Sequence, residues 1–193
     1  MKSIAVFCAS RIGNKLIYKE TAAEVGRMLA QKNIKVIYGG GNVGLMGALA
    51  DAALEAGGEV IGVIPYFLDE KEVGHEGLTQ LIKVESMHER KMKMSELSEG
   101  VITLSGGFGT LEELTEMLTW SQLALHRKPI GILNTEGYYD HMEKLFDHMY
   151  EEGFLAEETR KIAIFDSNPE HLFNKMCSFV PEHLSQWLDR DKT

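Results

Sequence analysis

Short runs of apolar residues recur along the chain, and between them lie longer stretches in which apolar positions return every three or four residues. The runs, rich in Val and Ile, predict strands near 3–8, 34–38, 59–64, 81–84, 100–104, 129–133 and 161–165. The intervening stretches predict helices at roughly 14–32, 43–57, 87–98, 110–125, 138–152 and 169–188. Over 110–125, Leu111, Leu114, Leu118 and Leu125 keep a helical spacing, His126-Arg127-Lys128 suits a helix C-terminus, and Pro129 opens the next strand. Strand and helix alternate from one end to the other, which predicts an α/β fold: a three-layer, doubly wound, Rossmann-like sheet, mainly parallel, with helices on both faces. The stretch 65–80 is the one long connection, and its charged, Gly-containing composition suggests a surface loop or lid beside a site.

In such a sheet ligands lie outside the carboxyl ends of the strands. Three segments end there: Ala9-Ser10-Arg11-Ile12-Gly13, Gly39-Gly40-Gly41-Asn42-Val43-Gly44, and the opening of 105–113. The last, Ser105-Gly106-Gly107-Phe108-Gly109-Thr110-Leu111-Glu112-Glu113, has the layout of a strand end, a phosphate-cradling turn and a helix start. Glycines there are expected to supply positive φ and close approach, and the first helical N–H groups have no intrahelical partner. Glu112 and Glu113, expected in the first helical turn, would repel a phosphate, so at least one of them needs another task; catalysis is the reading taken.

The run Gly39 to Gly44 satisfies G-x-G-x-x-G after a strand and before a helix, but the next strand ends in Val63-Ile64-Pro65, without the acidic residue that would hold a dinucleotide ribose. Gly40 and Gly41 are therefore assigned to nucleotide binding without NAD, the alternative being glycines that only allow a tight turn. Met87-His88-Glu89-Arg90-Lys91 opens the helix before the phosphate turn. Arg90 offers a planar fork for a phosphate or carboxylate and Lys91 a compact charge; the competing reading is a solvated basic face.

At 193 residues one domain over 1–193 is expected, and no low-complexity run interrupts it. A net charge of −9 argues against nucleic acid as a partner. No apolar stretch approaches a bilayer span and the N-terminal strand meets a polar loop too soon for a signal peptide, so no membrane association and a cytoplasmic location are expected. Cys8 and Cys177 are read as buried free thiols rather than a disulfide. His141 and His148 lack a third ligand at suitable spacing, so no metal is expected. No G-x-S-x-G elbow or Cys/His nucleophile pair stands out.

Gly39-Gly40-Gly41 with Gly44-Leu45-Met46-Gly47, then Met87-His88-Glu89-Arg90-Lys91, Gly106-Gly107-Phe108-Gly109-Thr110-Leu111-Glu112-Glu113 and Thr119-Trp120, closely resemble the LOG ("Lonely Guy") family, cytokinin riboside 5′-monophosphate phosphoribohydrolases formerly labelled lysine decarboxylase-like. The resemblance runs from Ile4 to about Leu155. It implies hydrolysis of the N-glycosidic bond of an adenosine 5′-monophosphate, N6-modified or plain, to free base and ribose 5-phosphate, with no cofactor and as a homodimer. By position it implies catalytic roles for Arg90 and Glu113, a phosphate site at Gly106, Gly107, Gly109 and Thr110, and substrate contacts from Glu72, Lys91, Glu112 and Thr119. Ser105 stands where the family usually has proline, which is expected to loosen the turn slightly. Two other readings compete. A lysine decarboxylase would carry pyridoxal phosphate on a Schiff-base lysine, for which Lys91 is the nominee, and a nucleotide-monophosphate sensor would bind in the same pocket without cleaving.

Overall fold

The computed structural model describes residues 1–72 and 74–180, the side chains of 70–72 excepted. Seven strands form one sheet: β1 Ser3–Phe7, β2 Lys35–Tyr38, β3 Val60–Pro65, β4 Gln80–Val84, β5 Gly100–Thr103, β6 Ile130–Leu133 and β7 Ala163–Asp166. Their order is β4-β3-β2-β1-β5-β6-β7, and every adjacent pair is parallel. The order reverses direction between β1 and β5, where Phe7 faces Thr103 in register. Connections leave that point in opposite directions, so a crevice opens above it.

Helices α1 Leu16–Gln31, α2 Gly44–Glu55 and α8 Pro169–Ser178 cover one face, and α4 Met87–Leu97, α5 Phe108–Gln122 and α6 Asp140–Glu151 the other. Alternation along β1 shows why both are needed: Ile4 and Val6 pack under the first group, Ala5 and Phe7 under the second. Burying four such side chains on both faces is worth several kcal/mol at ~25 cal/mol per Å² of apolar surface. On the first face α1 packs closely against α2, where a Cβ on Gly26 would stand 2.3 Å from the Leu49 carbonyl oxygen. Among the described residues no helix is long and apolar enough to cross a membrane.

The connection 65–80 departs from the expected loop, for it contains helix α3, Tyr66–Glu72. Its residues are sound helix formers, but seven positions are too few to show a periodic apolar stripe. After it the chain is pinned: Asp69 accepts from the Gly74 N–H and pairs with Lys83, and the His75 N–H donates to the Gly40 carbonyl. The His75 ring sits between Asp51, 2.9 Å from Nε2, and the Gly77 N–H, which donates to Nδ1. A short helix α7, Glu157–Arg160, was also not expected. The last helix ends at Ser178, where Phe179 turns extended, so 179–180 of the expected span are not helical and 181–188 lie outside the described residues. Cys8 and Cys177 are both free; Cys8 is buried as expected but Cys177 is exposed, because it falls on the solvent side of α8.

Candidate active site

A cavity of about 460 Å³ opens at the strand-order reversal between β1 and β5. Its walls are the loop after β1, the Gly39 end of β2, the start of α5, Tyr138 and Arg90 from α4. Arg90 is placed by a capped helix: the Ser86 hydroxyl accepts from the Glu89 N–H, and Glu89 reaches back to the Glu85 N–H. The sequence Ser86-Met87-His88-Glu89 therefore starts α4 where Arg90, one turn in, points under the sheet edge. There its Nε donates to the Val63 carbonyl at 3.1 Å and Nη2 to the Gly39 carbonyl at 3.2 Å. Its remaining nitrogen, Nη1, lies 3.3 Å from Glu113 Oε1. The two side chains are 8% and 10% exposed, so the pair is nearly desolvated yet borders the cavity. Two backbone carbonyls and a carboxylate satisfy the guanidinium, which makes burial of the charge tolerable.

Gly39 makes room for this arrangement, since a Cβ there would stand 2.0 Å from Arg90 Nη2. Sequence reasoning had assigned Gly40 and Gly41 instead. The structure places those two outside the cavity lining: Gly40 has φ +81° and holds His75, and Gly41 bridges to Gly74.

Helix α5 begins at Phe108, two residues earlier than expected, with Gly107 as an N-cap that offers no side-chain cap. The first helical bond runs from Leu111 N–H to the Gly107 carbonyl, so the N–H groups of Gly107, Phe108, Gly109 and Thr110 have no partner among the described residues. They form an electropositive cradle at the cavity wall. The expected positive φ is absent at Gly106, Gly107 and Gly109. The glycines serve space instead. A Cβ on Gly106 would meet Thr110 Oγ1 at 2.1 Å, so Gly106 lets Thr110 fold back and be buried. At Gly107 and Gly109 a Cβ would meet nothing within 4 Å. The earlier start also moves Glu112 and Glu113 out of the first turn, where they were expected, and so away from direct repulsion of an anion on the cradle.

Of the predicted residues, Arg90, Gly106, Gly107, Gly109, Thr110 and Glu113 line this cavity. Lys91, Glu112 and Thr119 do not. Lys91 is buried between Glu112 and Glu116, and burial opposes its charge, but hydrogen bonds to both carboxylates hold the ammonium above the usual lysine range. A lysine held protonated away from the cavity is poorly placed to form a Schiff base. Thr119 lines a smaller cavity of about 170 Å³ between α5 and α6. Glu72 ends α3, and its side chain lies outside the described residues.

The sequence reading missed Tyr18 and Tyr138, both in the lining, while Arg11 lines it from the segment after β1 that was expected at this edge. Tyr138, 32 residues from the turn it touches, carried no local signal. Cys8 is also in the wall, but burial, reinforced by the Glu113 carboxylate, pushes its thiol far up, so it stays protonated and is a poor nucleophile.

Comparison with known proteins decides the kinship. A family model described as possible lysine decarboxylase matches residues 46–176. The cytokinin riboside 5′-monophosphate phosphoribohydrolase LOG1 of Arabidopsis thaliana is 44% identical over 182 residues, 94% of this chain and 85% of that protein. The chain belongs to the LOG family. A second LOG relative, the cytokinin riboside 5′-monophosphate phosphoribohydrolase LOG of Oryza sativa subsp. japonica, is 42% identical over 94% of this chain and 75% of its own. Among solved structures, the molybdenum cofactor binding protein of Rippkaea orientalis superposes with a TM-score of 0.67, covering 91% of this chain and 94% of that one at 21% identity. The molybdenum cofactor carrier protein of Chlamydomonas reinhardtii gives 0.65 at 19% identity, over 92% and 98% of the two chains. At that identity the likeness shows the fold alone.

Proposed function

We propose that this LOG-family protein hydrolyses the N-glycosidic bond of an adenosine 5′-monophosphate, plain or N6-substituted, releasing free base and ribose 5-phosphate. One observation carries the reading: four unpartnered N–H groups and a buried carboxylate stand one turn apart on the same helix, facing one cavity. From Thr110 to Glu113 the helix rises about 4.5 Å. A phosphate on the cradle would place the ribose, and with it the anomeric carbon, over Glu113.

In this mechanism the amides of Gly107, Phe108, Gly109 and Thr110 hold the 5′-phosphate, and the space beside Gly107 and Gly109 admits it closely. As the bond to the base lengthens, positive charge develops on the ribose at C1′ and its ring oxygen. Glu113 stabilises that charge and orients a water molecule, which adds its oxygen to C1′ while a proton passes to the departing base. Arg90, fixed by Val63 and Gly39, holds Glu113 in place. The protein supplies position and charge, and none of these steps calls for a redox change.

The test is incubation with AMP and with N6-prenylated AMP, followed by chromatography. Free base from either is the expected result; binding without release would make the protein a nucleotide sensor. We also read the protein as a cytoplasmic homodimer without a nucleic-acid partner. Exposed Leu123 and Leu125 just after α5, Leu145 midway along α6 and Phe154 just after it offer apolar surface for a second copy, a free exposed thiol fits a reducing compartment, and the acidic charge disfavours polyanions. Light scattering at micromolar concentration should return twice the mass of 21.6 kDa.

A further inference from the structure

Two consecutive tyrosines brace the phosphate turn from outside it. The Tyr139 hydroxyl donates to the Leu104 carbonyl at 2.7 Å and the Tyr138 hydroxyl to the Gly106 carbonyl at 2.6 Å, so the Leu104–Ser105 and Gly106–Gly107 peptides are both tied. Tyr138 stands edge-on to Tyr139 at 4.9 Å and to Tyr18 of α1 at 5.7 Å, and both Tyr18 and Tyr138 line the cavity. The pair is itself well placed: the Asn134 side chain accepts from the Tyr139 N–H at 2.6 Å and donates to Asp140 at 2.7 Å. Burial pushes the Tyr139 phenol up, so it remains a donor.

A trans peptide is planar, and its C=O and N–H point in opposite directions. Fixing the Gly106 carbonyl on Tyr138 therefore fixes the direction of the Gly107 N–H, one of the four unpartnered amides of the cradle. It also turns an oxygen that would repel an anion toward a donor. Ser105, buried in the cavity wall, lies between the two tied peptides.

We propose that Tyr138 is a positioning residue for the substrate phosphate, acting through the Gly106–Gly107 peptide. The inference rests on the nucleotide reading above. The test is Tyr138→Phe, which keeps the ring and its edge contacts and removes only the hydroxyl. Inhibition constants are measured against AMP cleavage for inorganic phosphate and for adenosine, which has the base and sugar without the phosphate.

The expected result is a KM for AMP and an inhibition constant for phosphate both raised about three- to tenfold, with kcat and adenosine inhibition changed by less than about twofold. Thermal unfolding should stay within a few degrees of the parent, because Tyr138 is partly exposed. A phosphate constant that does not move, or one that rises together with that of adenosine, overturns the proposal. If the unsubstituted protein neither cleaves AMP nor binds phosphate, the nucleotide reading itself has failed, and that outcome is read on the parent before any variant.

Discussion

Glu113→Gln is expected to lower the turnover of AMP by ~10²-fold or more while leaving its KM within a few-fold of the parent. The substitution keeps the shape of the side chain and an oxygen that can still accept from Arg90 Nη1, 3.3 Å away, so the guanidinium retains its carbonyl partners and the fold should stand. What disappears is the full negative charge beside the developing oxocarbenium ion. In a nearly desolvated pocket that charge acts at short range with little screening, which is why the loss should fall on kcat. Initial rates by chromatographic release of base, with equilibrium binding of AMP alongside, make the check. A variant with parental turnover would remove Glu113 from the mechanism, and one that loses binding as strongly as rate would make it a binding residue.

Gly39→Ala is the second large effect expected, and it acts without touching the substrate. Gly39 lacks positive φ, so its backbone accepts alanine, but the new Cβ would stand 2.0 Å from Arg90 Nη2 and 3.1 Å from Met46 Sδ. The guanidinium must move off the Gly39 carbonyl and take Glu113 with it. A displacement of about 1 Å at the proposed catalytic pair is expected to cost on the order of 10²-fold in kcat/KM. Stability should fall by only about 1–3 kcal/mol, since the far end of an arginine can yield where backbone could not. Kinetics and thermal unfolding on the same preparation separate the two; unchanged kcat/KM would mean that the position of Arg90 is not critical.

Local signals carried the sequence reading a long way. Apolar runs and three-to-four spacing located all seven strands, and α4 began where its Ser86 and Glu89 caps dictate. The glycine-rich segment at 105–113 was read as an anion cradle, and α5 opens there with four N–H groups that have no partner among the described residues. Helix α3 was lost because seven residues do not complete a periodic pattern, and α7, with four, is shorter still. The start of α5 was misplaced because Phe108, 92% exposed, looked like part of the turn and not the first residue of a helix. Lys91 and Glu112 looked like site residues beside Arg90 and Glu113, yet neighbours in sequence on a helix point about 100° apart. One of each pair enters the cavity, and the other two meet one another outside it.

By itself the sequence determined the alternation of strands and helices, the start of α4, and the residue types able to bind a phosphate and stabilise a cation. These depend on interactions a few residues long, so they can be read from a few residues. Which groups meet was decided only by the tertiary structure. Strand order brings β1 against β5, opens the crevice at their junction, and carries the Arg90 guanidinium to Gly39 across 51 positions of chain and the Tyr138 hydroxyl to Gly106 across 32. Such contacts follow from crossover geometry and packing on both faces of the sheet, and neither leaves a local trace in the order of residues.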